Sequence, residues 1–161
     1  MTKSLHHMAF RCRDTEATRQ FYEEVIGLPL VATLEIGQTA TGRAAQALHT
    51  FFEIRDGSYL AFFEVDGAPF EFKQQHDFDL HIALEADDLE LSAAVAAAKA
   101  RGIEVRGPSD HGFIRSTYFR DPDGYVVELT VRSPDHDAEM AAERKVAHDR
   151  LARWNARKVV A

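Results

Sequence analysis

Residues 7–14, HMAFRCRD, and residues 81–88, HIALEADD, carry His, Ala and Asp at the same places, and this self-similarity decides the fold. Both stretches alternate with the period of two that strands require. His7, Ala9 and Arg11 therefore share one face, as do His81, Ala83 and Glu85. The opposite faces, Met8, Phe10 and Cys12 in one and Ile82, Leu84 and Ala86 in the other, are apolar enough to pack against helices.

Outward from these strands the two halves continue alike. Asp14 and Asp88 are placed to cap a helix, because a carboxylate there accepts from the unpaired amides of a first turn. Phe21 and Val25 in the first helix, and Leu91, Val95 and Ala98 in the second, recur at helical spacing, and Gly27 and Gly102 are the expected left-handed stops. Strands return at 29–36, 47–55 and 58–65, then at 103–106, 113–120 and 125–131. Asp56-Gly57 and Asp123-Gly124 mark the turn before the last strand of each half.

The expected fold class is thus α+β: two tandem βαβββ modules, at about 5–65 and 79–131, with helices packed on the apolar side of each sheet. Residues 66–78 link the modules, and the segment 37–46, GQTATGRAAQ, which has no counterpart in the second half, is expected to be a mobile loop near the site. Beyond this domain of residues 1–133, residues 134–161 form a helical extension with a helix over about 136–158. Its apolar stripe, Met140, Ala147, Leu151 and Trp154, is expected to pack on the barrel or on a second subunit.

With 161 residues, 45% hydrophobic and 28% charged, the chain can bury a sizeable core. A net charge of -7 offers no positive field for phosphates, so nucleic acid is not an expected partner. No apolar run approaches the roughly 20 residues needed to span a bilayer. The single cysteine, Cys12, and an N-terminus without the apolar run of a signal peptide lead to the expectation of a cytoplasmic protein.

Two equivalent strands with a histidine at the same pleat position bring the imidazoles of His7 and His81 together if the modules pack about a pseudo-twofold axis. In the strand 125–131, YVVELTV, the charged Glu128 sits among apolar neighbours, where an unpaired carboxylate is costly and a cation relieves the cost. Two histidines and a carboxylate form the facial set that suits non-haem Fe(II) and, with a further oxygen ligand, Zn, Ni, Mn or Co. One divalent metal ion, Fe(II) foremost, is the expected cofactor. His6 should point away from His7, as neighbours in a strand do. His49, His76 and His111 are candidates for a nearby acid or base, because imidazole exchanges protons near neutral pH. Arg11 and Glu85 are expected to pair with each other or with a substrate carboxylate.

The runs LHHMAFRCRDTEATRQFYEEVIGLPL and RSTYFRDPDGYVVELTV resemble the opening and closing signatures of the vicinal oxygen chelate proteins, the glyoxalase, bleomycin-resistance and extradiol-dioxygenase group. The resemblance covers about residues 1–133. It implies paired βαβββ modules forming a cupped, barrel-like mixed sheet with helices outside, and a metal that binds two neighbouring substrate oxygens, held by His7, His81 and Glu128. For the family's fourth ligand position two alignments compete. Matching the apolar stripe of the strand Tyr59 to Val65 to that of 125–131 turns Glu64 inward, as in the two-His, two-Glu set of glyoxalases. Counting four residues on from Gly57, as Glu128 follows Gly124, reaches Ala61 and leaves the position empty, as in ring-cleaving dioxygenases. Tyr118 matches a tyrosine that orients substrate oxygen in the latter.

The function expected first is an extradiol-type dioxygenase acting on a small catechol-like molecule. A glyoxalase- or epimerase-like enzyme working through an enediolate with Glu64 as proton shuttle is the alternative, and a metal-free drug-binding protein the third. Phe51, Phe63 and Phe113 are expected to line the substrate cavity, and a homodimer is the expected assembly.

Overall fold

The computed structural model describes residues 2–38, 41–74 and 76–158. The first module runs β1 (His7–Arg11), α1 (Thr15–Phe21), β2 (Leu30–Gln38), β3 (Ala44–Glu53) and β4 (Tyr59–Val65), with the chain from Tyr22 to Ile26 continuing α1 as a wider π-type turn. The second runs β5 (His81–Glu85), α2 (Asp88–Ala100), β6 (Val105–Asp110), β7 (Ile114–Arg120) and β8 (Val126–Arg132), and α3 (His136–Lys158) follows. Each module forms a four-stranded mixed sheet, in the orders β1-β4-β3-β2 and β5-β8-β7-β6. In both, the histidine-bearing strand lies at an edge, parallel to the last strand of its module. The α+β class and the repeated, cupped arrangement are as the sequence implies.

One core unites the halves. Phe21, Tyr22 and Val25 pack with Phe52, Leu60 and Phe62 from the first sheet, with Ile82, Phe119, Val127 and Leu129 from the second, and with Leu91, Ala94 and Ala98 of α2. Burying a large side chain of this kind contributes roughly 1.5–3 kcal/mol, so the helix-side faces of both sheets are held to one another. The buried Tyr22 hydroxyl donates to Asp121 Oδ2 at 3.0 Å, and the Arg13 amide donates to Asp123 Oδ1 at 3.1 Å. Both bonds cross from the first module to the hairpin β7–β8. That hairpin also carries Gly124, at φ +97°, where a side-chain carbon would stand 2.8 Å from the Lys73 carbonyl oxygen; only glycine lets the linker pass so close.

Several local expectations change. Asp14 caps α1 through Ala17, but in the second module the cap is Asp87, which forms a reciprocal capping box with Glu90, and Asp88 is the first helical residue. Strands β2 and β3 extend through residues 37, 38 and 44–46, so cross-strand pairing absorbs most of the stretch taken as a loop; Thr39 and Ala40 lie outside the described residues. Strand β6 runs on through Gly107-Pro108 to Asp110, past the end expected at residue 106. Here it forms a bulge, between the pairs Arg106–Tyr118 and Ser109–Ser116. In α3 no described residue is buried, and Met140, Leu151 and Trp154 are exposed, so the stripe does not pack on its own chain.

Candidate metal centre

The strand registers determine which side chains share a face. In the second module His81 lies opposite Val126 and Ala83 opposite Glu128, so His81 and Glu128 project from the same side, away from the core. His81 Nε2 stands 3.2 Å from Glu128 Oε2. Glu128 is only 5% exposed, held between buried Val127 and Leu129 of a strand that has neighbours on both edges. The other ring nitrogen of His81, Nδ1, is 2.7 Å from the Asp77 carbonyl oxygen. A carbonyl only accepts, so Nδ1 carries a proton, and Nε2 is the nitrogen that faces the carboxylate.

This contact is satisfied by a proton on Nε2 bridging to the carboxylate, or by a metal cation that takes the proton's place between the two donors. Donors bonded to one metal at about 2.0–2.1 Å stand roughly 2.9–3.4 Å apart, and the observed separation lies in that interval. The residues present therefore fit one half of a divalent metal site.

His7 is elsewhere. Its Nδ1 is 2.8 Å from Nδ1 of His6, so the two neighbours touch rather than diverge, because His6 precedes β1 and is free of the strand pleat. The His7 ring packs edge-on to His49 at 6.3 Å and to Phe51 at 5.7 Å, and His49 stacks on Phe63 at 3.6 Å. Among the described residues no three His, Cys, Asp or Glu side chains are grouped so that they could hold a metal. The gathering of His7 with His81 and Glu128 therefore does not occur within one chain. The cause lies in the core: the modules join through their helix-side faces, which leaves both histidine-bearing faces directed outward.

Glu64 stands on the other side of β4 from this face. His7, Ala9 and Arg11 pair with Tyr59, Ala61 and Phe63, and Glu64 follows Phe63 by one residue, on the alternate face. Its Oε2 accepts from the Thr15 amide at 2.6 Å and from the Thr15 hydroxyl at 2.5 Å, at the first turn of α1. The residue that relates to His7 as Glu128 relates to His81 is Ala61.

Around Glu128 the second module assembles polar groups. Tyr118 lies directly across from it on β7, and the Tyr118 hydroxyl is 3.1 Å from His111 Nε2. Burial, and next the Glu128 charge, push the phenol pKa up, so Tyr118 holds its proton. Burial, and next His7, push His49 down, favouring its neutral form, and its buried Nε2 has no hydrogen-bond partner among the described residues. His76 lies in the linker turn and accepts from the Phe78 amide at 3.2 Å.

Of the residues expected to contact substrate, Phe51 and Phe63 surround His7 and His49, whereas Phe113 packs 5.9 Å from His136 at the start of α3. Arg11 and Glu85 do not pair with each other. Glu85 meets Arg132 at 2.7 Å, while Arg11 donates to the Ala68 carbonyl at 3.1 Å and lies over the Phe70 ring at 5.1 Å. Between β1 and the linker is a cavity of about 410 Å³, lined by Ala9, Arg11, Phe63, Phe70, Phe72 and Tyr125 among others. It adjoins the His7 face through Ala9, Arg11 and Phe63, and neither His81 nor Glu128 lines it. The linker aromatics and the Asp77–Arg106 pair, in which Arg106 donates to both carboxylate oxygens at 2.7 and 2.5 Å, carry no periodic signal and were invisible in the sequence.

Known proteins share this fold. The sequence profile of the Glyoxalase/Bleomycin resistance protein/Dioxygenase superfamily matches residues 4–129. A probable lactoylglutathione lyase of Vibrio parahaemolyticus is 29% identical over 132 residues, 76% of this chain and 86% of that protein. Among solved structures, the fosfomycin resistance protein FosX of Mesorhizobium loti superposes with a TM-score of 0.63 at 23% identity, over 86% of this chain and 99% of that one. A glutamate-to-glutamine mutant of FosX from Listeria monocytogenes, solved with Mn(II) and 1S,2S-dihydroxypropylphosphonic acid, does so at 0.62 and 21%, over 86% and 99%. The two FosX likenesses establish the fold, and the profile, spanning most of the chain, establishes the family. The chain belongs to the glyoxalase/bleomycin resistance protein/dioxygenase superfamily.

Proposed function

We propose that the protein is a divalent-metal-dependent enzyme that cleaves the ring of a small, catechol-like substrate presenting two neighbouring oxygens. One observation carries this reading. Ala61 pairs with Ala9 at the register position where the second module has Glu128 opposite Ala83, which supports a donor set of His7, His81 and Glu128 without a fourth side chain from β4. Three protein donors leave positions open for two substrate oxygens and a further small molecule. When bound, a divalent metal, Fe(II) in this reading, supplies Lewis-acid polarisation of the substrate oxygens and electrons for oxygen chemistry.

The chain's own residues do the rest. The Tyr118 hydroxyl and His111, 3.1 Å apart, form a donor–acceptor pair beside Glu128 that orients a substrate oxygen and moves its proton. Phe51, Phe63 and His49 offer an aromatic wall, and Arg11 faces the cavity where an anionic substituent is accommodated. Because one chain leaves its donors in two places, the site in this proposal is shared between two copies, His7 from one and His81 with Glu128 from the other. A homodimer of this kind covers the outward sheet faces, and the exposed stripe of α3 supplies further apolar surface. No helix among the described residues is long and apolar enough to cross a membrane, and a lone, buried cysteine suits a reducing cytoplasm.

The test is aerobic turnover of the Fe(II)-loaded protein on a panel of catechols, with a coloured ring-fission product expected. The lyase reading is favoured by the 29% identical relative. It predicts instead no colour and metal-dependent formation of lactoylglutathione, with His111 and Tyr118 rather than Glu64 handling the proton. Failure to take up any divalent metal under any loading condition would leave only the drug-binding alternative.

A further inference from the structure

We infer that Arg106 and Asp77 are positioning residues that fix the ring of His81 in the tautomer and orientation a metal ligand needs; this deepens the proposed function and rests on it for the identity of the ligand. A metal-binding imidazole in a protein nearly always donates the N–H of its other nitrogen to an acceptor that fixes its tautomer and orientation. For His81 that acceptor is the Asp77 carbonyl oxygen, at 2.7 Å.

Left to itself that carbonyl would be poorly fixed. It belongs to a linker turn closed by two backbone bonds, from the Asp79 and Leu80 amides to the His76 carbonyl, and the neighbouring Phe78 is 95% exposed. What anchors the turn to the sheet is the Asp77 side chain, whose two oxygens both accept from Arg106 Nη2, at 2.7 and 2.5 Å. Arg106 in turn lies against Tyr118, its guanidinium carbon 5.0 Å from the ring centre. The bulge that follows Arg106 in β6 sets it opposite Tyr118, on the side of the sheet that carries Glu128.

A chain of contacts thus runs from Tyr118 through Arg106 and Asp77 to His81, and returns through Glu128, which is Tyr118's cross-strand partner. As a source of stability the ion pair is minor, because Arg106 is half exposed and surface pairs contribute little. Its placement makes sense as alignment. Guanidinium planarity is part of the device, since lysine can carry the charge but cannot lie against the phenol ring while holding both oxygens.

The experiment compares the intact wild-type protein with R106A, R106K and D77N. Three readouts are used: long-range ¹⁵N–¹H spectra of His81 in metal-free protein at pH 8, Mn(II) and Zn(II) affinity by competition with a chelating dye, and the thermal midpoint. Wild type should show His81 as a single tautomer protonated at Nδ1. R106A should show a tautomer mixture and bind metal about 10–100-fold more weakly, as loss of a group that orients a ligand does, with a thermal midpoint shifted by only a few degrees. R106K should fall between, and D77N should follow R106A if Arg106 acts through Asp77. An R106A or D77N protein with wild-type tautomer and affinity overturns the inference while leaving His81 and Glu128 as ligands. A tautomer change in a protein that binds no metal even as wild type upholds the positioning role and refutes the metal site instead.

Discussion

His81 Nε2 and Glu128 Oε2 stand 3.2 Å apart at the edge of a sheet, brought together because β5 and β8 pair in parallel with Ala83 opposite the glutamate. In the proposed function this pair is the anchor of the metal site. Glu128→Gln keeps the shape of the side chain and removes its charge, and should weaken divalent-metal binding by at least about 100-fold, beyond the 10–100-fold expected for a supporting residue. Metal content after equilibrium dialysis measures it; unchanged stoichiometry would remove Glu128 from the donor set.

The shared site makes a sharper forecast. His7→Ala and His81→Ala proteins should each bind no metal tightly, yet co-expression should restore about a quarter of the wild-type sites. Random pairing makes half the dimers mixed, and each mixed dimer retains one intact site of two. A site closed within one chain yields no recovery at all.

Glu64 allows the capping role to be separated from ligation. With its oxygen accepting from both the Thr15 amide and hydroxyl, Glu64→Gln should cost about 1 kcal/mol in denaturant unfolding. Metal affinity should stay at the wild-type level. A large loss of metal with unchanged stability would reverse the assignment and restore the four-ligand alignment.

Asp121 sets a pH dependence. Burial pushes its carboxyl from 3.8 up to about 6, against the hydrogen bonds it accepts from Tyr125, Tyr22 and Asp123. The folded state therefore holds this proton more tightly than the unfolded chain, so its contribution is greatest in acid and is lost as pH rises through about 6. Asp121→Asn keeps acceptors for the Asp123 and Tyr125 amides and turns an amide donor toward Tyr22. The variant should lack this fall, which is on the order of 2 kcal/mol between pH 4 and 6. Parallel urea titrations of the two proteins give the difference; equal slopes would show that Asp121 ionises in the fold as it does in the open chain.

How far sequence reaches can be seen from particular residues. The strand pattern around His7 and His81, the cap at Asp14, the glycine stop at Gly27 and the turn at Gly124 are local, because alternation, capping and left-handed backbone act over a few neighbours. The repeat supplied the rest of the architecture, since two like segments pack alike. Register was not legible to that degree: Glu64 and Ala61 are equally plausible ligand positions on an apolar stripe, and only the pairing of β1 with β4 distinguishes them. The same limit hid the bulge in β6, which lies just beyond the strand end expected at residue 106.

By itself, then, the sequence determined that two βαβββ halves exist, that each carries a histidine on the face opposite its apolar one, and that Glu128 lies buried in a strand. Only tertiary structure decided that the halves meet through their helix sides, that His7 is thereby left apart from His81, and that Arg106 reaches Asp77. The physical reason is range: periodicity records which face of an element is apolar, whereas the partner that covers that face, and everything directed away from it, is chosen by packing between segments distant in the chain.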